Sequence, residues 1–389
     1  MIRKSGYRFS DKIMLGQISD PARNLIRFVC TGLVIMAAAA GLNYIVDPLQ
    51  VFRPARLFAA MYSPDSRLQD AGLIHSQDFD TVLMGTSLAI HFRQSEIDRM
   101  LDVKSLKLAL NGSSSREQTF VLAAAFARHP KRVIWEVDDW IFHDAPDIDS
   151  DLYIPADLYR RNVKGLAGYL MSGAMARESA WIMARSIPPL EPMVARLTNE
   201  VMFKFPLSRV DDINALQFDL DVAVAYNAKI ALAAFRRITD PVRSQYLADD
   251  TDYNMKVRVF ERDAIGLIAA NPDVTFDIYL PPYSILQWVA MRDAAPPGTL
   301  NRVYDFSAYF CRRLAAFPNV RLYDFRSVSE VTHDLNNYAD VIHHSPAVDR
   351  KVLAWLAEGK YLVNRATPTA ALDRLKAQVA AYRVDNLER

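Results

Sequence analysis

The sequence predicts an α/β domain of three layers, a parallel five-stranded sheet between helices, with one transmembrane helix ahead of it. Three observations predict this. Five short apolar runs rich in β formers are separated by helical patterns, the alternation that gives a parallel sheet with crossover helices. Residues Phe28–Val46 run 19 positions without a charge. Hydrophobic residues make up 51% of the 389-residue chain and charged residues 23%, enough apolar content for a large core and far from a disordered composition.

At 1.5 Å per residue the uncharged stretch spans about 28 Å, close to the roughly 30 Å of a bilayer's hydrocarbon. Arg3, Lys4, Arg8, Lys12, Arg23 and Arg27 precede it, against only Asp11 and Asp20. The positive-inside rule therefore places residues 1–27 in the cytoplasm and the chain after residue 47 beyond the membrane. A cleaved signal peptide is the other reading, with Ala38–Ala40 as a small-residue cleavage site. The long basic segment and long apolar stretch favour an uncleaved anchor over 28–46.

Residues 47–77 carry Pro48, Pro54 and Pro64 and read as an irregular stalk packing onto the domain. The domain itself is expected over 78–365. Its first strand is Asp80–Gly85, followed by a helix start at Ser95-Glu96-Ile97-Asp98. The second strand is Ser105–Leu110, closed by Asn111-Gly112. A helix follows over 116–128, and Arg132–Val137 is the third strand. From about 145 to 260 the pattern is helical, with Pro188, Pro189, Pro192, Pro206 and Pro241 as punctuation, so this stretch is an insertion. Strands resume at Val274–Leu280 and Val320–Phe325, and residues 366–389 end the chain as a helix.

Lys+Arg 46 against Asp+Glu 45 leaves a formal net charge of +1 and no global field for nucleic acid. Cys30 and Cys311 stand too far apart in sequence for a disulfide framework or a CxxC metal site. Ligands of an open parallel sheet bind beyond the carboxyl ends of its strands. There the sequence places Gly85-Thr86-Ser87, Asn111-Gly112-Ser113, Asp138-Asp139, Pro281–Ser284 and Asn336–Pro346. Among these are a serine, a histidine and a carboxylate, the parts of a nucleophilic triad. A serine hydroxyl needs a base, His343 is one, and Asp340 three residues earlier can orient its imidazole.

With Gly85-Thr86-Ser87 after the first strand, Gly112 after the second and Asp340-x-x-His343 near the C-terminus, the chain resembles the SGNH/GDSL hydrolase superfamily. More closely it resembles membrane-anchored SGNH-like proteins of cell-surface polysaccharide O-acylation, such as the alginate O-acetylation proteins and the D-alanyl transfer protein of teichoic acid. The match runs over roughly residues 80–357, without the insertion. The resemblance implies a sheet of SGNH or flavodoxin-like order, with Ser87 as nucleophile, His343 as base and Asp340 as orienting acid. It implies an oxyanion donor at Gly112, with Asn111 and Tyr283 as further oxyanion or substrate-binding residues, and no cofactor or metal. The expected activity is O-acyl transfer or ester hydrolysis, acetyl above all, on an exopolysaccharide or cell-surface glycan. The expected partners are that polysaccharide, a multi-pass membrane acyltransferase and the membrane. The expected location is a bacterial inner membrane, single-pass, with the C-terminal domain periplasmic.

One departure stands in the third strand's loop. The superfamily places an asparagine there as an oxyanion donor, and this chain has Asp138-Asp139. A carboxylate repels an oxyanion, and losing one donor typically costs about 10²–10³ in rate. The alternative is therefore a non-catalytic scaffold of a polysaccharide synthesis or export complex; an esterase or lipase for small esters is a second. Simpler roles also exist for single residues. Ser87 can cap the following helix, His344 can be a neighbour of His343, and Asp138 and Asp139 can cap or solvate a loop. His333, Asp334, Asp340, His343 and His344 match no zinc spacing.

Overall fold

The computed structural model describes residues 21–58, 60, 62–63, 65–145, 148, 154–186, 225–244, 247 and 252–384. The apolar N-terminal stretch forms one helix of 26 residues, α1 (Pro21–Val46), long and apolar enough to cross a membrane. Among the described residues it reaches seven positions back from the uncharged run, because nothing in Ala22–Arg27 breaks a helix.

Five strands build one parallel sheet in the order β2-β1-β3-β4-β5. They are β1 (Thr81–Gly85), β2 (Ser105–Ala109), β3 (Arg132–Glu136), β4 (Thr275–Leu280) and β5 (Val320–Asp324). Each ends within a residue of its sequence expectation. Side chains alternate between two buried faces. Val82, Met84, Val133, Trp135, Phe276 and Ile278 point into one hydrophobic layer. Leu83, Ile134, Tyr279 and Tyr323 point into the other. Burial on both faces is why these strands read as continuous apolar runs.

The first layer is covered by α2 (Ser66–Ser76), α4 (Ser115–Phe126), α9 (Tyr253–Phe260, continued by a π-helical turn at Glu261–Ile265) and α11 (Thr299–Ala315). The second is covered by α3 (Gln94–Leu101) and α12 (Pro346–Glu358). Between β3 and β4 the described residues add α5 (Ala156–Tyr159), α6 (Val163–Leu170), α7 (Gly173–Arg185) and α8 (Ala228–Ile238); residues 187–224 of this stretch, with Pro188, Pro189, Pro192 and Pro206, lie outside the described residues. A third apolar cluster joins α8, α10 (Ile285–Asp293), α11 and α13 (Ala370–Ala381).

Two local readings change. Residues 47–77 are not irregular throughout: they hold α2, whose Gln69–Ile74 are buried in the core, while Pro64 lies outside the described residues. Gly72 makes this possible, since a Cβ there would fall 1.8 Å from the Leu49 carbonyl oxygen. Helix α3 starts at Gln94 with Arg93 in the cap position, so Ser95 lies inside the first turn. The capping box sits instead on α4, where Ser114 and Glu117 bond each other's backbone N–H.

Candidate active site

Chain direction across the sheet reverses between β1 and β3, because β2 lies on one side of β1 and the later strands on the other. The crevice beyond the carboxyl ends of β1 and β3 is thus the topological switch point, where open α/β sheets bind ligands. Ser87 leaves β1 at this place in a short 3₁₀ turn, Ser87–Ala89. The cap of that turn is the side chain of Thr86, whose Oγ1 accepts from the Leu88 N–H at 3.5 Å. Ser87 is therefore not the capping residue. Its hydroxyl is half-buried and lies 3.0 Å from His343 Nε2.

His343 is held by the loop before α12. The Ser345 N–H donates to the Asn337 carbonyl at 2.8 Å and the Ala339 N–H to that of His343 at 3.0 Å, closing a narrow hairpin. Tyr338, fully buried, ties this hairpin to the end of β4 by donating to the Pro282 carbonyl at 2.6 Å. Inside the hairpin Asp340 Oδ1 accepts the N–H groups of Ile342 and His343, both at 2.7 Å. Its Oδ2 lies 2.6 Å from His343 Nδ1. The three-residue spacing thus lets one carboxylate fold the turn and orient the ring. Burial works against both charges, but their mutual bond and attraction prevail. Asp340 is held below the usual carboxylate range and His343 is raised above the ordinary histidine value.

Beneath Ser87 lies a pair of buried acids. Glu136, at the end of β3, is fully buried and its Oε2 accepts from the Thr86 N–H at 2.7 Å. Thr86 Oγ1 lies 2.9 Å from that same oxygen and 2.8 Å from Asp138 Oδ2. Tyr283 donates its hydroxyl to Asp138 Oδ1. One threonine hydroxyl has a single proton to give and meets two carboxyl oxygens, so the acid pair holds a proton of its own. Burial, then the neighbouring acid's charge, raises Glu136 well above its ordinary value; burial raises Asp138 as well. Gly85 is the residue that admits Glu136. A Cβ on it would lie 2.7 Å from Glu136 Cβ and Oε2.

Asp138 is therefore not a solvated loop residue, and although it stands at the cap position of the 3₁₀ turn Asp139–Ile141 its side chain makes no cap bond there. It is 2% exposed and joins β3 to β1. Asp139 lies next to buried Lys256, which donates to the Asp139 carbonyl at 2.6 Å and sits 3.4 Å from its carboxylate. Tyr283, expected to meet substrate, gives its hydroxyl to Asp138 and is largely buried, and it lines the cavity that adjoins Asp340. Asn111 and Gly112 are exposed on the turn after β2, beside β1 through the Gly85–Ala109 pairing. Gly112 has φ +60 and open space where a Cβ would be. His344 faces away from Ser87: it is buried with Nδ1 3.2 Å from Asp349 Oδ1. His333 packs edge-on against Tyr382, away from the triad hairpin. Among the described residues no group of three His, Cys, Asp or Glu side chains comes together to hold a metal.

Two features escaped sequence reasoning. One is Glu136, whose only signal is a carboxylate inside the apolar run RVIWEV. The other is His91, buried four residues after Ser87, which bonds the His344 backbone and is pushed down to about 3 by burial and the nearby His344, His343 and Lys107. A cavity of about 350 Å³ adjoins Asp340 and Ile342, walled by Trp140, Trp288, Met291 and Lys256. The larger cavity, about 740 Å³, is lined by α6, α7 and Leu49 and touches no triad residue. Its size gives it no claim on the chemistry.

No protein-family model and no curated protein matches this chain. The geometry alone carries the functional reading.

Proposed function

We propose that the protein is a membrane-anchored, extracytoplasmic serine O-acyltransferase or esterase of SGNH-like type, acting with acetyl groups on an exopolysaccharide or cell-surface glycan. The observation that supports this best is the chain of contacts Ser87 Oγ, His343 Nε2, His343 Nδ1, Asp340 Oδ2, at 3.0 and 2.6 Å. Order along the chain, placement at the switch point and Gly85-Thr86-Ser87 agree with the resemblance to that superfamily.

In this reading His343 Nε2 takes the Ser87 proton as Oγ attacks the acyl carbonyl carbon. The tetrahedral oxyanion faces the backbone N–H groups of Ser87 and Gly112. Collapse breaks the bond to the donor alkoxide, which leaves with the proton from His343. A glycan hydroxyl, or water in the esterase case, then gives its proton to His343 and attacks the acyl-serine, returning free Ser87. The cavity beside Asp340, with Trp140 and Trp288, offers space and aromatic surface for a sugar ring.

Helix α1 is read as an anchor rather than a cleaved signal. It runs unbroken through Ala38–Ala40, and its last turn is built into the domain: Asn43, fully buried, donates to the Leu170 and Ser172 carbonyls at 2.8 and 3.1 Å. The charge pattern supports a periplasmic domain in this reading, within reach of a multi-pass acyltransferase that would supply acyl groups.

A scaffold role has one observation on its side, the acids at the asparagine position. That observation weakens on inspection, because Asp138 is occupied by Thr86 and Tyr283 and shares a proton, and Asp139 is offset by Lys256. Neither stands as a bare charge where the oxyanion would form. The test is polymer acyl content in cells carrying Ser87→Ala or His343→Ala. Both should lose acylation equally while the protein stays abundant and membrane-bound. Unchanged acylation in Ser87→Ala cells, with the polymer lost on deletion of the whole chain, would select the scaffold.

A further inference from the structure

Outside α1, six large apolar side chains are exposed among the described residues: Leu57, Val163, Met171, Met183, Val242 and Leu362. Their placement is not scattered. Met171 lies between Leu170 and Ser172, two of the three residues whose carbonyls accept the Asn43 amide, Tyr169 being the other. Met183 follows Ile182, and Leu57 precedes Phe58; Ile182 and Phe58 pack with Trp181 against Val46 and Leu42 of α1. A fourth, Val163, opens α6, whose far end carries the Leu170 carbonyl. Three of the six are thus immediate neighbours of residues touching the last turns of α1, and the fourth, Val163, is the first residue of α6, which ends at Leu170.

The same place has the polar furniture of a bilayer boundary. Tyr44, half exposed on the last turn of α1, stacks under the Arg53 guanidinium at 4.8 Å. Arg53 also donates to the Ile45 carbonyl at 2.8 Å and to that of Tyr44, capping the carboxyl end of the helix. Tyrosine and arginine with an apolar body and a polar tip are the residues that settle at headgroup level. Helices α6 and α7 pack on the last turns of α1, through the Asn43 amide and the Val46, Trp181 and Ile182 cluster.

We infer that Leu57, Val163, Met171 and Met183 form a shelf that lies in the headgroup and upper acyl region of the outer leaflet of the membrane α1 crosses. The inference rests on α1 being an anchor and not on Ser87 being a nucleophile. The occupant is lipid because α1 itself leads there: a helix entering a bilayer brings the surface around its exit to the same interface. Apolar side chains left exposed on such helices gain by burial about 5–10 Å into the boundary. The domain would then sit against the bilayer in one orientation instead of swinging on a tether.

The test uses the full chain in nanodiscs of phosphatidylcholine and phosphatidylglycerol, with Cys30→Ser removing the exposed native thiol. A nitrobenzoxadiazole probe is placed singly through Leu57→Cys, Met171→Cys or Met183→Cys. Leu33→Cys serves as the probe inside α1 and Leu362→Cys as the probe on the far surface. The expected result is strong quenching of positions 57, 171 and 183 by lipid-borne nitroxide and weak quenching by aqueous iodide, with Leu362→Cys the reverse. If Leu33→Cys is lipid-quenched while 57, 171 and 183 respond to iodide as 362 does, the shelf is overturned and the anchor stands. Protection of the three from both quenchers would mean that protein covers the face, which also overturns it. A Leu33→Cys probe open to iodide would remove the anchor and the shelf together. Reaction of Ser87 with a fluorophosphonate in the same samples reports the enzyme reading independently.

Discussion

Asp340 uses one carboxylate for two purposes: Oδ1 folds the hairpin and Oδ2 holds the imidazole of His343. The rate should depend on pH accordingly. A base must be neutral to accept the serine proton, and His343 is raised above 6.5, so activity should rise with pH through a limb above that value. In Asp340→Asn the amide oxygen can still fold the turn, but the charge is gone. The acid limb should then move down and the rate fall by about 10³–10⁴, measured as kcat/KM against pH on an activated acetyl ester. The acid pair titrates in the other direction. Glu136 is raised above its unfolded value, so the folded state holds the extra proton, and stability falls as pH climbs from about 4.5 through the raised value. Tyr279, Tyr283, Asp138, Asp139 and His343 surround the site of that loss, and Lys256 pairs with Asp139. Glu136→Gln keeps the shape and the proton count. Its melting temperature should therefore change less than that of the wild type as pH rises from about 4.5 to neutral; an identical slope would mean that the pair holds no shared proton.

At the scale of elements, the two ends of the sheet are built differently. The carboxyl end carries the site, and Gly85 lets β1 approach β3 closely enough for Glu136 to reach the Thr86 N–H. Gly85→Ala drives a methyl into that contact and should cost about 1–3 kcal/mol, with loss of activity, read by denaturant unfolding. The amino end is held by charge. Asp277 on β4, fully buried, bridges Arg132 on β3 and Arg321 on β5. Asp277→Ala should destabilise by about 2–3 kcal/mol, below the roughly 3–5 of a fully buried pair, because both arginines reach solvent. Strands and triad were legible in sequence because their signals are local. Each strand is five or six residues, most of them apolar, ended by a turn, and Asp340 and His343 are three residues apart. Glu136 and α2 were not, since their burial depends on partners about 50 and 20 residues away, Thr86 and Leu49.

For the whole molecule, the fold brings residues 256 positions apart into one hydrogen bond, Ser87 to His343, at the reversal of strand order. The sequence placed both residues after strands but did not place α5–α8, because helical patterning without strands specifies no packing partner. The same architecture ties the domain to α1 through Asn43. Asn43→Leu leaves three backbone carbonyls without their donor and should loosen α6 and α7, seen as faster proteolysis there with the sheet still protected. The central claim is that Ser87 is an activated nucleophile. Peptide mass mapping of the detergent-solubilised full chain after a fluorophosphonate tests it most directly. The account predicts one adduct on Ser87, abolished in Ser87→Ala and strongly slowed in His343→Ala. A folded protein that gains no adduct at Ser87, or gains it equally fast without His343, would contradict it.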